Sequence, residues 1–125
     1  LDIPINAALN YGYSILLSSF NREITANGYI TQLGIFHDNM FNPFNLGSDL
    51  MEPFRPLVDA EVFKLNPQKF EHEEKLKIVS VINKKVFINN KEHYINKAIE
   101  IFVHSIFDAL NEKDISQIKF YRNEL

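Results

Sequence analysis

Residues 5–27 read INAALNYGYSILLSSFNREITAN, and their apolar positions recur at intervals of three and four. That spacing lines up one stripe on an α-helix, which is typical of a helix buried on one side. The stripe consists of Ile5, Ala8, Leu9, Gly12, Leu16, Phe20 and Ile24. Pro4 suits a first helical turn and Asn27-Gly28 a left-handed stop, so we predict a helix over this whole segment. At Gly12 the missing side chain would let another backbone approach closely.

The remainder of the chain is predicted to be short helices and one hairpin. Helices are expected over residues 31–37, 48–65, 71–83 and 95–110, with one more turn possible in 114–122. Pro56 should kink the helix at 48–65. In the helix at 71–83, Leu76, Val79 and Ile82 should face inward. Two short β-type runs around Asn89-Asn90 predict a β-hairpin near residues 86–95. We therefore expect a mainly α fold, a single helical domain of about five to seven helices with this small hairpin.

Composition narrows the class of protein. The chain has 125 residues, 46% of them apolar and 23% charged, which fits one globular domain. It contains no cysteine, so any metal must be held by nitrogen and oxygen ligands, and a cytoplasmic location is expected. No apolar run reaches the ~20 residues of a membrane helix, and no signal peptide is evident. The chain starts at Leu1 without methionine, which predicts a piece of a longer polypeptide.

The charges are unevenly distributed. Residues 1–63 hold two basic groups against seven acids, whereas residues 64–97 hold eight lysines against four acids. An acidic half followed by a lysine-rich stretch would suit a metal site beside a phosphate-binding surface. Lysines on a solvated face are the more common reason for such a stretch. The candidate DNA-binding residues are Arg55, Lys64, Lys69, Lys75, Lys77, Lys84, Lys85 and Lys91.

Ionisable side chains lie among apolar residues in the segment 33–59, which reads LGIFHDNMFNPFNLGSDLMEPFRPLVD. Such groups are costly to bury unless paired, and a divalent metal is one such partner. Asp49 and Glu52 stand at i and i+3 on one side of a helix, and Arg55 and Asp59 extend the row. The row is either a surface ladder of ion pairs or a functional site. In that site Glu52 would bind a metal, Asp49 would support it, and Arg55 would orient a carboxylate or a phosphate. Spacing alone favours the ladder.

One histidine in this segment is a candidate metal ligand. His37 precedes Asp38, which could accept a hydrogen bond from its second ring nitrogen. With Glu52 it would form a mixed nitrogen and oxygen site suited to Mn²⁺ or Mg²⁺. Two ligands make such a site incomplete, so a third is expected from elsewhere. Among the other histidines, His72 should face solvent and His104 should make a hydrogen bond in the core.

Two of these segments resemble a known family. The segments are INAALNYGYSILLSSFNREITANG and residues 33–59. They resemble the C-terminal helical domain of the CRISPR-associated integrases, the Cas1 family, and most of all its type II members. The likeness covers about residues 3–110 and rests on the NYGY helix, the histidine after LG, and the DLMEPFRP helix. It implies that residues 1–125 form the C-terminal catalytic helical domain, and that the family's N-terminal β-rich domain lies outside this sequence.

The resemblance also implies a function. Members of the family are metal-dependent DNA integrases and endonucleases of antiviral defence, which insert foreign DNA into a CRISPR array by transesterification. His37 and Glu52 match their metal ligands, and Asp49 matches an acidic catalytic residue one turn earlier. The implied cofactor is Mg²⁺ or Mn²⁺. The implied partners are double-stranded DNA (prespacer and CRISPR repeat), the Cas2 protein and a second copy of the chain.

The sequence also departs from the family in one respect. The family's first metal ligand is a glutamate that precedes the opening helix, and these 125 residues do not contain it. We therefore expect the chain alone to be inactive or nearly so. The alternative is a non-catalytic helical module that binds nucleic acid or protein, in which Asp49, Glu52 and Arg55 form only an ion-pair row.

Overall fold

Helices dominate the computed structural model, which describes residues 3–27 and 43–123. The helices are α1 (Ile3–Asn27), α2 (Pro43–Met51), α3 (Arg55–Leu65), α4 (His72–Val79) and α5 (Ile95–Glu112). Short 3₁₀-helices cover Glu52–Phe54, Ser80–Asn83 and Ile115–Gln117, and the strands are β1 (Lys85–Ile88) and β2 (Lys91–Tyr94). The predicted mainly α fold with one hairpin is confirmed. The predicted helix at 31–37, and His37 with it, lie outside the described residues.

Helix α1 is the central element, because it packs against all four of the other helices named above. Its buried stripe includes Ala8, Gly12, Leu16, Phe20 and Ile24, as predicted. A Cβ atom on Gly12 would collide with the Val58 side chain and lie 3.2 Å from Ile78 Cγ2. Side chains of α3 and α4 therefore fill the space that the missing Cβ of Gly12 leaves.

The predicted single helix over 48–65 is wrong in two respects. Helix α2 begins earlier, at Pro43, and the chain breaks at the 3₁₀-helix Glu52–Phe54 instead of bending at Pro56. Pro53 lies in the first turn of this 3₁₀-helix and Pro56 in the first turn of α3. A proline there loses no hydrogen bond, since the amide groups of a first turn have no helical partner. Glu52 consequently lies at the joint between two helices.

The hairpin forms where the sequence predicted it. Strands β1 and β2 are antiparallel, with Val86 opposite His93. Asn89 and Asn90 adopt φ of 56° and 66°, the left-handed values of a type I′ turn. The chain after α5 returns to this sheet, where Phe87 and Arg122 exchange two backbone hydrogen bonds of 2.7 Å.

The prediction that Leu76 faces inward is wrong, whereas Ile82 packs against the core as predicted. Leu76 is 56% exposed, whereas Ile78 and Val81 are buried. The backbone amide of Glu71 donates to Glu74 Oε1 (2.9 Å), and this capping box fixes where the helix begins. The segment then tightens into the 3₁₀-helix Ser80–Asn83, so a period of 3.6 residues does not extend through it. No helix within residues 3–27 or 43–123 has the length and apolarity of a membrane span.

Candidate active site

The segment that carries Glu52 is anchored in the core by Phe54. This side chain is fully buried, and three aromatic rings surround it. The ring centres lie 4.8–5.4 Å away, at Phe20 (5.2 Å), Phe102 (5.4 Å) and Tyr121 (4.8 Å). Such tilted and edge-to-face pairs each contribute ~0.5–1.5 kcal/mol beyond the buried area. The backbone on either side of Phe54 is therefore held in a fixed place.

A second anchor comes from the C-terminal segment. The Tyr121 hydroxyl donates a hydrogen bond of 2.7 Å to the carbonyl of Pro53. Burial raises the pKa of Tyr121, so the phenol keeps the proton that it donates. Residues 53 and 54 are thus held from the inside, whereas the Glu52 side chain points outward and is 63% exposed.

The predicted row of charges does not form one continuous ladder. Arg55 Nε lies 3.5 Å from Glu52 Oε1, as the ladder interpretation requires. Asp59, in contrast, accepts a hydrogen bond from the Tyr13 hydroxyl of α1. Asp49 is exposed and forms no ion pair with any residue in the described part of the chain. Two exposed carboxylates, Asp49 and Glu52, are therefore available to a cation.

Arg55 is enclosed on one side. Its Cζ atom lies 4.9 Å from the centre of the Tyr13 ring, which is the geometry of a cation–π contact worth ~0.5–1 kcal/mol near a surface. Its Nε atom is buried and has no hydrogen-bond acceptor among the described residues. The contact with Glu52 is therefore an ion pair without a formed hydrogen bond. A phosphate oxygen that bound within hydrogen-bond distance of Nε would satisfy this N–H group.

Tyr13 is the residue that the sequence analysis missed. Burial, followed by the hydrogen bond and the charge of Asp59, raises the pKa of Tyr13 to about 12. The phenol is thus protonated at neutral pH and acts as the donor to Asp59. The one signal in the sequence was its position beside Gly12, where a neighbouring helix was expected to come close.

Asp49 and Glu52 supply some of the ligands that a divalent metal requires. The exposed carboxylates of Asp49 and Glu52 are the oxygen ligands that Mg²⁺ and Mn²⁺ prefer. Within residues 3–27 and 43–123, no group of three or more His, Cys, Asp or Glu side chains could hold a metal ion. The described residues therefore offer part of a metal site, and His37 stays a predicted ligand.

The structure places six of the candidate DNA-binding lysines in three kinds of surroundings. Lys84 is paired with Glu61 at 3.0 Å and Lys69 with Glu71 at 3.9 Å. Others lie over aromatic rings: Lys75 is 5.6 Å from the centre of Phe70, and Lys85 is 5.0 Å from that of Tyr94. Lys64 and Lys77 form no ion pair with the described residues.

Lys64 and Lys77 meet at a groove between α3 and α4. The groove has a volume of about 270 Å³, and Glu61 and Ser80 also line it. Nine residues separate Arg55 from Lys64 on α3, and a helix turns by about 100° per residue, so the two side chains lie on opposite sides. The lysine groove therefore does not continue the surface around Glu52.

A separate pocket of about 560 Å³ lies between the end of α1 and α5. His104 is at this pocket and its side chain is 60% exposed, so the prediction of a core histidine was wrong. Its Nδ1 lies 3.2 Å from Asn27 Oδ1, and its Nε2 lies 3.6 Å from Asp108 Oδ2. His72 is exposed, as predicted.

Comparisons with known proteins agree on one family. The family profile described as CRISPR associated protein Cas1 matches residues 2–93. A CRISPR-associated endonuclease Cas1 of Neisseria meningitidis serogroup C (strain 8013) is 34% identical over 120 residues, covering 92% of this chain. The endonuclease Cas1 1 of Francisella tularensis subsp. novicida (strain U112) is 36% identical over 108 residues, or 75% of the chain.

The matches span only part of each relative. The chain corresponds to 40% of the Neisseria protein and 34% of the Francisella protein. A third match is shorter: the endonuclease Cas1 1 of Pyrobaculum aerophilum (strain ATCC 51768 / DSM 7523 / JCM 9630 / CIP 104966 / NBRC 100827 / IM2) is 41% identical over 64 residues. That match covers 51% of this chain and 21% of the relative.

Proposed function

The chain belongs to the Cas1 family of CRISPR-associated proteins, and on that premise we propose that it is the C-terminal catalytic helical domain of a DNA integrase and endonuclease. The full-length protein would insert foreign DNA into a CRISPR array by transesterification. In that reaction a DNA 3′-hydroxyl attacks a phosphodiester of the repeat. The observation that carries the proposal is the exposed carboxylate of Glu52, on a backbone held in the core and beside the partly satisfied guanidinium of Arg55.

The proposed metal ligands are His37 and Glu52, with Asp49 as a further catalytic carboxylate. A bound Mg²⁺ or Mn²⁺ would stabilise the negative charge that develops on the attacking and leaving oxygens. Glu52 would bind that ion through its exposed oxygens. The unsatisfied Nε–H of Arg55 would donate to a phosphate oxygen of the DNA, in a charge-assisted hydrogen bond.

The 125 residues alone are proposed to be inactive or nearly so. The family's first metal ligand, a glutamate, is not in this sequence, and one histidine with one or two carboxylates holds Mg²⁺ or Mn²⁺ weakly. The proposed partners of the full-length protein are prespacer and repeat DNA, Cas2 and a second copy of the chain. These partners follow from the family resemblance.

A strand-transfer assay with the full-length protein tests this function. Glu52→Gln and His37→Ala should each lower Mn²⁺-dependent integration by more than ~10-fold, because each removes a metal ligand. The matched control is Glu112→Gln, a substitution of the same kind at an exposed position at the end of α5. If Glu52→Gln integrates DNA as well as the control does, the proposed role of Glu52 is wrong. If Mn²⁺ neither binds nor supports activity, the non-catalytic binding module becomes the better description.

The proposed DNA surface is strongest at the lysine groove. Lys64 and Lys77 have no carboxylate partner among the described residues, so a phosphate would not have to displace one. Lys69 and Lys84 are already paired, and we expect them to contribute less. Each phosphate contact adds about 0.9 to the slope of log affinity against log salt.

Binding of duplex DNA by the full-length protein, measured at several salt concentrations, tests this surface. Lys64→Ala with Lys77→Ala should lower the salt slope by ~2, since two phosphate contacts would be lost. Lys69→Ala should lower the salt slope by much less, because the carboxylate of Glu71 beside Lys69 offsets the positive charge that a DNA phosphate would meet. Equal slopes for the double variant and the wild type would contradict the assignment.

A further inference from the structure

We propose that Tyr13 is a positioning residue for Glu52. Its hydrogen bond occupies Asp59, and Arg55, resting on the Tyr13 ring, is thereby left to pair with Glu52. This inference rests on the proposed function of Glu52 as a metal ligand. It assigns to α1, which carries no ligand of its own among residues 3–27, control over where that carboxylate points.

The first step is the contact between α1 and α3. Gly12 faces Val58, and a side chain at Gly12 would collide with it. The next residues on the two helices are Tyr13 and Asp59, and these form the hydrogen bond. The missing Cβ of Gly12 thus allows the approach that brings the phenol of one helix to the carboxylate of the other.

The second step is a competition for Arg55. On this stretch of chain Arg55 has one acid three residues before it, Glu52, and another four residues after it, Asp59. Side chains at both spacings are neighbours on a helical surface, so either acid is within reach of the guanidinium. The structure shows Arg55 with Glu52, while Asp59 is turned to Tyr13.

The third step is the way the guanidinium is held. Its planar group lies over the Tyr13 ring at 4.9 Å, and Nε is buried. An ion pair between exposed side chains is too weak to fix a carboxylate by itself. The ring restricts Arg55, and Arg55 in turn restricts Glu52, so the orientation of Glu52 depends on Tyr13.

A purely structural role for Tyr13 predicts something different. If the hydrogen bond to Asp59 merely joins α1 to α3, its loss would lower stability and leave Arg55 beside Glu52. If Tyr13 positions Glu52, its loss would release Asp59, and Arg55 would move to that acid. The side-chain signal of Arg55 distinguishes the two cases.

The experiment is NMR of the full-length protein with ¹⁵N-labelled arginine, without metal. Tyr13→Phe should shift the Arg55 Nε–Hε signal, and adding Asp59→Asn should return it toward the wild-type position, since the competing charge is gone. Tyr11→Phe is the matched control, because its hydroxyl makes no hydrogen bond among the described residues and Lys75 lies over its ring. An Arg55 signal that Tyr13→Phe leaves unchanged would overturn the proposal, as would a shift that Asp59→Asn does not reverse.

Mn²⁺ affinity supplies the second readout. Tyr13→Phe should weaken Mn²⁺ binding by about 10-fold, as is usual for loss of a group that orients a ligand, and the double variant should recover it. A rise in affinity, expected if Arg55 only repels the ion, would overturn the proposal. A wild-type protein that does not bind Mn²⁺ would contradict the proposed function instead. In that case the metal-free NMR result still decides whether Tyr13 controls Arg55.

Discussion

Replacing Phe54 with alanine tests whether the core holds the site in place. Phe54 is fully buried in the core, and it contacts the rings of Phe20, Phe102 and Tyr121. Removal of a buried phenylalanine side chain costs ~3–5 kcal/mol, through lost burial and the cavity that remains. The three ring contacts place Phe54→Ala in the upper part of that range.

The loss of stability in Phe54→Ala should be greatest near Glu52 and Arg55. Phe54 lies between Glu52 and Arg55, so the Phe54→Ala cavity opens beneath both. Hydrogen exchange on peptides from α1, α3 and α5 of the full-length protein should show the lowered free energy of opening. Strand transfer should fall at temperatures where the domain is still folded, because the backbone that carries Glu52 is no longer fixed.

Phe63→Ala is the matched control for this prediction. Phe63 is on the neighbouring helix α3 and is 71% exposed, so its removal should change stability by no more than ~0.5 kcal/mol. If Phe54→Ala changes the free energy of opening by less than ~1 kcal/mol, or no more than Phe63→Ala does, the reasoning fails. An unchanged rate of strand transfer in a destabilised Phe54→Ala protein would show that the anchor is not needed by the site.

Three further predictions concern contacts between elements of the fold. Gly12→Ala should destabilise the domain by ~1–3 kcal/mol, since the added methyl group overpacks the contact with α3. Thermal unfolding measures this loss, and an unchanged unfolding temperature would contradict the tight packing at Gly12. Tyr13 has its pKa raised to about 12 from 10.0, so its contribution to stability is present below pH 10 and lost as the pH rises through about 12. Near-ultraviolet phenolate absorbance should show this late titration, and Asp59→Asn should bring it closer to 10. Ser105→Ala should cost ~1–3 kcal/mol in urea unfolding, because the amide of Lys119 loses its acceptor at 2.9 Å.

The sequence predicts a feature well where the pattern that encodes it is long or local. Helix α1 has seven apolar positions in register over 25 residues, and one period fits them all. The hairpin depends on two adjacent asparagines that tolerate left-handed φ, and this is a local property. Helix α4 has only eight residues, about two turns, so several inward faces fit its apolar residues, and Leu76 was assigned incorrectly.

In the candidate site, too, the features encoded by local spacing were predicted and the contacts between distant residues were not. The exposure of Asp49 and Glu52 on one stretch follows from their spacing, and so does the ion pair of Arg55 with Glu52. The bond between Tyr13 and Asp59 joins residues 46 apart, and no local pattern encodes it. The ion pair of Lys84 with Glu61 depends likewise on where the chain before the hairpin meets α3.

The order of residues in EPFRP, positions 52–56, explains why the break in the helix and the site coincide. Pro53 and Pro56 cannot donate the amide hydrogen bonds of a continuous helix, so the chain turns through a 3₁₀-helix at Glu52–Phe54. A 3₁₀-helix has three residues per turn, so side chains at i and i+3 are eclipsed. That places Arg55 over Glu52 while Phe54 points into the core. Positions 52 and 55 would be neighbours in a continuous α-helix as well, so the two prolines determine where α2 ends, and the spacing of the residues accounts for the charged pair.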